Sequence, residues 1–433
     1  MQQGYKTRAV PRVLTVLLAG GAGERLSPLT REEAKPMMSF GGIYRLIDVT
    51  LSNCIHSGLT KIFILTQHKA LSLNRHIREA WSIFSPELGQ FIEAIPPTRR
   101  RGDTWYLGTA DAVYQNLQSI EEEDPPLTLI LSADHVYKMN YRHIFDWHNK
   151  LHADVTVATT QVSPEEAGRF GIVEMDQRFR ISAFEEKPKP KTPRRSCFNP
   201  QACSASMGIY LFSTPVLREA LVKDAEDSGS THDFGRDVLP RLIERRLVVA
   251  YDSIDENRKE VRYWRDVGTL DAYYEANIDL VDVNPVFNLY DQDWPIRTGP
   301  PRLPPAKFVF ADEGCGMGVA LDSLVSHGCI ISGARVVHSV LSPGVRIDSH
   351  CIIEDCIIHA NVWVGVRSRI RRAIIAQDVF LPEDTVIGFD PKADHQAGHF
   401  VTDSGIVVVH ADSPGARHKK SRRASQMTMT AVS

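Results

Sequence analysis

No apolar run in this 433-residue chain approaches the roughly 20 residues that a membrane-spanning helix requires. Its seven cysteines, Cys54, Cys197, Cys203, Cys315, Cys329, Cys351 and Cys356, are odd in number and form no CxxC pair. That argues against both a disulfide framework and a zinc knuckle, and for buried thiols in a reducing, cytoplasmic setting. A net charge of −3 gives no case for a nucleic-acid or membrane-surface partner. Two familiar glycine motifs are also missing. Gly23-Glu24-Arg25 stands where a P-loop would close with Gly-Lys-Ser/Thr, and Leu26 stands where GxGxxG would need its third glycine. The start of the chain mimics a weak signal peptide, with Lys6, Arg8 and Arg12 before VLTVLLA. That apolar run is short and flows straight into a glycine loop, so it reads as a first strand. What is present is ordinary: 43% hydrophobic and 24% charged residues, in a length that predicts two domains.

The chain is organised around Leu17 to Asp48. A β-branched apolar run, Val13 to Leu18, breaks into Gly20-Gly21-Ala22-Gly23, with Arg25 beyond it and Lys35-Pro36 further on. Glycines at a strand end let backbone N–H groups come close to a bulky anion. Arg25 and Lys35 then offer two positive charges to the same anion. The stretch reads as a polyphosphate loop.

Apolar strands then alternate with helical spacing. Tyr44 to His56 and Leu71 to Phe84 read as helices, and Ile62 to Leu65 and Leu127 to Leu131 as buried strands. This alternation predicts an α/β, doubly wound, mostly parallel sheet, whose ligands sit at the carboxyl ends of strands. Gly20 to Gly23 and Gln67 share that address. Gly108-Thr109-Ala110 opens a helix whose N-terminus suits a ligand oxygen. Trp105 and Tyr106 before it fit a site or a core equally well, and Arg99-Arg100-Arg101 fits a solvated loop. Asp134 follows a strand end, where a carboxylate is costly to bury unless it binds something; Mg²⁺ is the natural candidate. Asp266 is the second candidate metal carboxylate. Lys187 precedes Pro188, which predicts an extended backbone there. Pro188 to Ala202 reads as a mobile loop, and His232 to Gly235 begins a helix.

Residues 284–305 contain six prolines and read as a linker. After them the period changes. Leu324, Ile330 and Val336 lie six apart, as do Leu341, Ile347 and Ile353; Ile358, Val364 and Ile370; and Ile375, Leu381 and Ile387. Each triplet starts 17 residues after the last, which predicts four stacked coils of a parallel β-helix. The expected layout is a domain over 12–283, the linker at 284–305, the β-helix over 306–410 and a disordered basic tail over 411–433. The RRAS string in that tail is an accident of basic composition.

The GGxGxRLxPLTxxxxKP stretch resembles the sugar-1-phosphate nucleotidyltransferases. SNCIHSG, HDFGRDVLP, WPIRT and LPPAKFV resemble, more particularly, the glucose-1-phosphate adenylyltransferase family. The likeness runs from about residue 12 to 410. It implies a Rossmann-like catalytic domain followed by a left-handed β-helix, and adenylyl transfer from ATP to glucose 1-phosphate for glycogen or starch synthesis. By the same resemblance Gly20, Gly21, Gly23 and Arg25 cradle the phosphates, and Lys35 stays on them through the transition state. Asp134 and Asp266 hold Mg²⁺, with Arg25, Lys35 and Asp134 counted as catalytic. Lys187 takes the sugar phosphate, with Glu186, Ser206, Gly171 and Tyr106 about the glucose, and Gln67 and Gly108 on the adenine side. A homotetramer is implied, with a phosphorylated metabolite as a possible effector. The alternatives are a uridylyltransferase–acetyltransferase, a relative using GTP or dTTP, and a non-catalytic regulatory subunit. The chain departs from enterobacterial members in having Glu32-Glu33 and Glu121-Glu122-Glu123 where basic residues bind fructose bisphosphate. The expectation is weak activation by that effector, unless Arg45, Arg371 or Arg372 rebuilds the site.

Overall fold

A computed structural model describes residues 12–418 apart from 22, 98–104, 189–192, 258–261, 301, 313–315 and 414–416. They pack as two units. One holds residues up to 21, 50–133 and 138–258; the other holds 22–49, 134–137 and 259 onward.

The first unit is built on a nine-stranded sheet. Val13–Ala19 lies parallel to both Lys61–Thr66 and Leu127–Ser132, and Phe91–Ile95 extends the row in the same sense. Leu14, Val16, Leu17, Ile62 and Ile64 are fully buried, so both faces are covered. That is why these strands read as continuous apolar runs rather than alternating ones. The doubly wound half carries the glycine loop. Beyond Leu127–Ser132 the sense reverses. Cys203–Ser213 runs antiparallel to it and pairs with Val155–Val162 and Gly171–Met175, which forms a hairpin with Ile181–Glu186.

Several local expectations shift. The helix expected from Tyr44 starts at Leu46, because Tyr44–Arg45 pairs antiparallel with Ser39–Phe40 and the Asp48 carboxylate accepts the Arg45 N–H at 2.9 Å. The next helix is Ala70–Ala80 and stops where Trp81 turns inward. Lys187 is not extended before its proline. Its φ of +48° lies in the left-handed region, where the chain reverses after Ile181–Glu186 and the Lys187 N–H reaches the Phe170 carbonyl at 3.0 Å. Cys197 is exposed, unlike Cys54, Cys203, Cys329, Cys351 and Cys356. The arginine run at 99–101, Cys315 and most of the tail lie outside the described residues. Among the described residues, no helix is long and apolar enough to cross a membrane.

In the second unit His135–Tyr137 pairs antiparallel with Trp264–Asp266, Asp266 opposite His135. Around this ribbon Leu26, Phe40, Val136, Tyr273 and Phe287 form a core shared with Ile357, Ile374 and Val408. The hexads form three parallel stacks. Lys307–Val309 leads the one running through Ile330–Ser332, Arg346–Ile347, Trp363–Val364 and Val379–Leu381. Three triplets and Val336 point inward as expected and are buried. The first coil differs: Val325, not Leu324, stands opposite Leu341, and Ile331, not Ile330, stands opposite Ile347. That coil is one residue shorter there, and a one-residue slip turns a strand's side chains to the opposite face. Leu324 packs instead on the cluster around Tyr273. At the far end Val407–Val409 continues the stack, and Arg417–His418 pairs with Val379–Phe380 where composition predicts disorder.

Candidate active site

In the first unit the parallel register that sets Ala19 opposite Thr66 brings Gly20 beside Gln67. A Cβ on Gly20 would stand 3.1 Å from the Gln67 Cβ, whereas a Cβ on Gly21 would meet nothing within 4 Å. Among the described residues there is therefore no packing reason for glycine at position 21.

Gly108 precedes the helix Thr109–Gln115, and a Cβ there would overlap the carbonyl oxygens of Thr231 and His232. The Thr109 hydroxyl donates to Asp233 at 3.0 Å and accepts the Phe234 N–H at 3.0 Å, locking this helix start to the HDFG segment. Tyr106 belongs to the core, its hydroxyl accepting from Asn116 at 3.0 Å. Trp105 is the open aromatic, stacked on His68. Tyr106 thus packs with the core side chains of this unit.

The hairpin Gly171–Met175/Ile181–Glu186 sets Gly171 opposite Glu186. The Glu186 carboxylate would be 2.8 Å from a Cβ on Gly171 and 2.7 Å from one on Gly235, so two glycines from distant segments make room for it. Lys187 Nζ lies 3.1 Å from Glu186 and its side chain is half exposed. Ser206 sits at a bulge: it stands opposite Thr159, while Tyr210 stands opposite Val157. The Ser206 hydroxyl reaches the Tyr210 hydroxyl at 3.5 Å, and burial raises the Tyr210 pKa above the ordinary phenol range. Asp233 caps the following helical turn by accepting the N–H groups of Gly235 and Arg236. Tyr210, Asp233 and Gly235 were not among the residues selected from sequence. The one signal for them was an acid followed two residues later by glycine at a helix start.

In the second unit Gly23 has φ +67°, and its carbonyl accepts the Thr30 hydroxyl at 2.8 Å. A Cβ on Gly23 would press on Thr30 and on the Lys35 Cβ at 3.2 Å, so the turn and Lys35 are packed together. Lys35 is buried, with its Nζ 2.7 Å from Asp134 Oδ2 and 3.3 Å from Asp266 Oδ1. Burial opposes the Lys35 charge, but Asp134 and Asp266 outweigh it and hold its pKa above the ordinary lysine value. Burial likewise opposes the Asp266 carboxylate, yet His135 and Lys35 hold its pKa down. His135 Nε2 lies 3.7 Å from both carboxylates and its ring meets Trp264 edge-on; the sequence reading passed it over. A Cβ on Gly268 would be 3.0 Å from both Arg25 Nη2 and Asp266 Oδ1, which places Arg25 at the edge of this cluster.

Among the described residues, no three His, Cys, Asp or Glu side chains are so arranged that they could hold a metal ion by themselves. Two hard carboxylates already neutralising one cation suit Mg²⁺, which is held by one or two carboxylates with substrate phosphates completing its shell. The residues fit such an ion.

A family model described as nucleotidyl transferase matches residues 14–283, and one described as GlmU-like C-terminal hexapeptide matches 304–409. The chain belongs to the nucleotidyltransferase family. Within it, the chain is 58% identical over 400 residues to a glucose-1-phosphate adenylyltransferase of Koribacter versatilis (strain Ellin345), covering 92% of this chain and 95% of the relative. It is 52% identical over 401 residues to the Rhodopirellula baltica protein of that name (92% and 90% covered). It is 45% identical over 415 residues to that of Methylococcus capsulatus (95% and 96%).

Proposed function

We infer that this protein joins ATP and α-D-glucose 1-phosphate to give ADP-glucose and pyrophosphate, the step that commits glucose to glycogen. The observation that carries it is identity along nearly the whole chain to adenylyltransferases, together with the presence of Arg25, Lys35, Asp134, Lys187 and Asp266. A degenerate regulatory subunit would have lost such residues. A uridylyltransferase–acetyltransferase would need a longer β-helix.

No side-chain nucleophile is required. A phosphate oxygen of the sugar attacks the α-phosphorus in line, and the bond to the β-phosphate oxygen breaks with its electron pair leaving on pyrophosphate. Catalysis is then positioning and charge neutralisation. In our reading the glycine turn and Arg25 take the triphosphate, and Gln67 and Gly108 flank the adenine. Lys187 takes the sugar phosphate, and Glu186, Gly171 and Ser206 orient the glucose, with Tyr210, Asp233 and Gly235 shaping the Glu186 pocket. Asp134 and Asp266 would hold Mg²⁺, which when bound supplies neutralisation of the charge developing on the phosphates. A pyrophosphate-release panel over ATP, UTP, GTP, CTP and dTTP tests the assignment: ATP is expected to dominate, and a preference for UTP or dTTP would refute it.

We also propose a tetramer. Phe308, Phe310, Met317 and Leu321 are exposed at the first rung of the β-helix, a surface that favours association. A bisphosphate effector is disfavoured. In the second unit a small cavity is lined by Arg31 and Arg45 but also by Glu32, Glu33, Asp378 and Asp412. Arg45 already lies 3.7 Å from Glu33, and Arg371 and Arg372 are not in the lining.

A further inference from the structure

Lys35 does not point to open space awaiting a phosphate; its ammonium lies on the two carboxylates assigned to the metal. The ammonium is almost fully enclosed, with Nζ within ion-pair distance of Asp134 Oδ2 and Asp266 Oδ1, and His135 Nε2, 3.7 Å from Asp134 Oδ1 and from Asp266 Oδ1, completes the cluster. A Cβ on Gly23 would stand only 3.2 Å from the Lys35 Cβ, so the stem lies close against the turn while the far end carries the charge. A divalent ion coordinated at about 2.1 Å by those oxygens needs the lone pairs that Nζ is using, and like charges at that range repel strongly in a poorly solvated site.

We propose that Lys35 is a resident counter-cation that excludes the divalent ion until nucleotide arrives, so that metal enters with the triphosphate and not before it. Two carboxylates and one ammonium leave one net negative charge, too little to draw a hydrated divalent ion out of water. The arriving triphosphate adds several negative charges and gives Nζ a new partner. Lys35 then moves from carboxylate to phosphate, and the oxygens it vacates become ligands. The same side chain balances the site while it is empty and binds phosphate when it is filled. This rests on the proposed metal role of Asp134 and Asp266.

The test is Mn²⁺ binding to the full chain without nucleotide, read as loss of the free-ion electron paramagnetic resonance signal. Wild type and Lys35→Arg are expected to bind weakly, and Lys35→Met at least tenfold more tightly. Lys35→Gln, which keeps a donor for the carboxylates, supplies the same comparison should the apolar variant not fold. Adding a non-hydrolysable ATP analogue is expected to close the gap between wild type and the neutral variants. Equal Mn²⁺ affinity in wild type and the neutral variants would overturn the exclusion while leaving the metal site standing. Absence of binding in every protein, with and without the analogue, would overturn both.

Discussion

Replacing Gly21 by alanine separates what the fold needs from what the ligand needs. Gly21 is not among the positive-φ residues described, and among the described residues the added methyl would meet no atom beyond its chain neighbours within 4 Å. The folded state therefore pays nothing for it, and the narrower unfolded ensemble should stabilise the protein by about 0.4–1 kcal/mol. If backbone N–H groups at this turn lie against the triphosphate, the methyl holds them away from it. Losing one hydrogen bond to a charged oxygen costs about 1.5–3 kcal/mol. That corresponds to a fall in kcat/KM for ATP of roughly 10- to 150-fold. Thermal unfolding and initial rates of pyrophosphate release, measured on the same preparation, give both numbers. Gly20→Ala is the contrasting case, because its methyl would stand 3.1 Å from Gln67 and should lower stability as well. A Gly21→Ala enzyme with kcat/KM within threefold of wild type would refute the phosphate role of the turn.

Asp134→Asn should lower kcat by roughly 10²-fold or more with an unchanged circular dichroism spectrum, and wild-type turnover in that variant would exclude the metal role. Removing residues from 307 onward would strip Ile357, Ile374 and Val408 from the core around Tyr273, so loss of soluble, active protein is expected; a truncated chain of unchanged activity and oligomeric mass would contradict this. Fructose bisphosphate at millimolar concentration and subsaturating ATP should raise the rate little; tenfold activation would show the acidic cavity to be irrelevant. Burial pushes the pKa of His359 down to about 3 and that of His148 down to about 4, so both are neutral in the folded protein. Below the unfolded value of about 6.5 the unfolded chain binds the extra protons, and urea-unfolding free energy should fall with pH by up to about 1.4 kcal/mol per unit for each histidine between 6.5 and 4. His359→Gln should flatten that slope.

Much of this was legible in the chain itself. Buried strands on both sides of the glycine turn, the 17-residue hexad period and the acid after a strand end are local patterns. Each is set by the periodicity of strand or helix and by which groups tolerate burial. Where local sequence has no say, the reading drifted. The first coil of the β-helix is shorter by one residue, and only pairing with the next coil reveals that Val325 and Ile331 face inward. Tyr106 carried no mark distinguishing core from site; its packing and the bond from Asn116, just past the end of the helix that follows, place it in the core. The room for Glu186 depends on Gly235, a residue in another segment with no periodic relation to it. Lys35 shows the division most clearly. Sequence spacing gave it a phosphate partner, because a lysine near a glycine turn is a cation near an anion site. Its carboxylate partners come from Asp134 and from Asp266, 231 residues away, brought together by pairing of His135–Tyr137 with Trp264–Asp266. Charge balance in a buried site is a property of the folded chain, because it depends on which opposite charges three-dimensional packing leaves within reach.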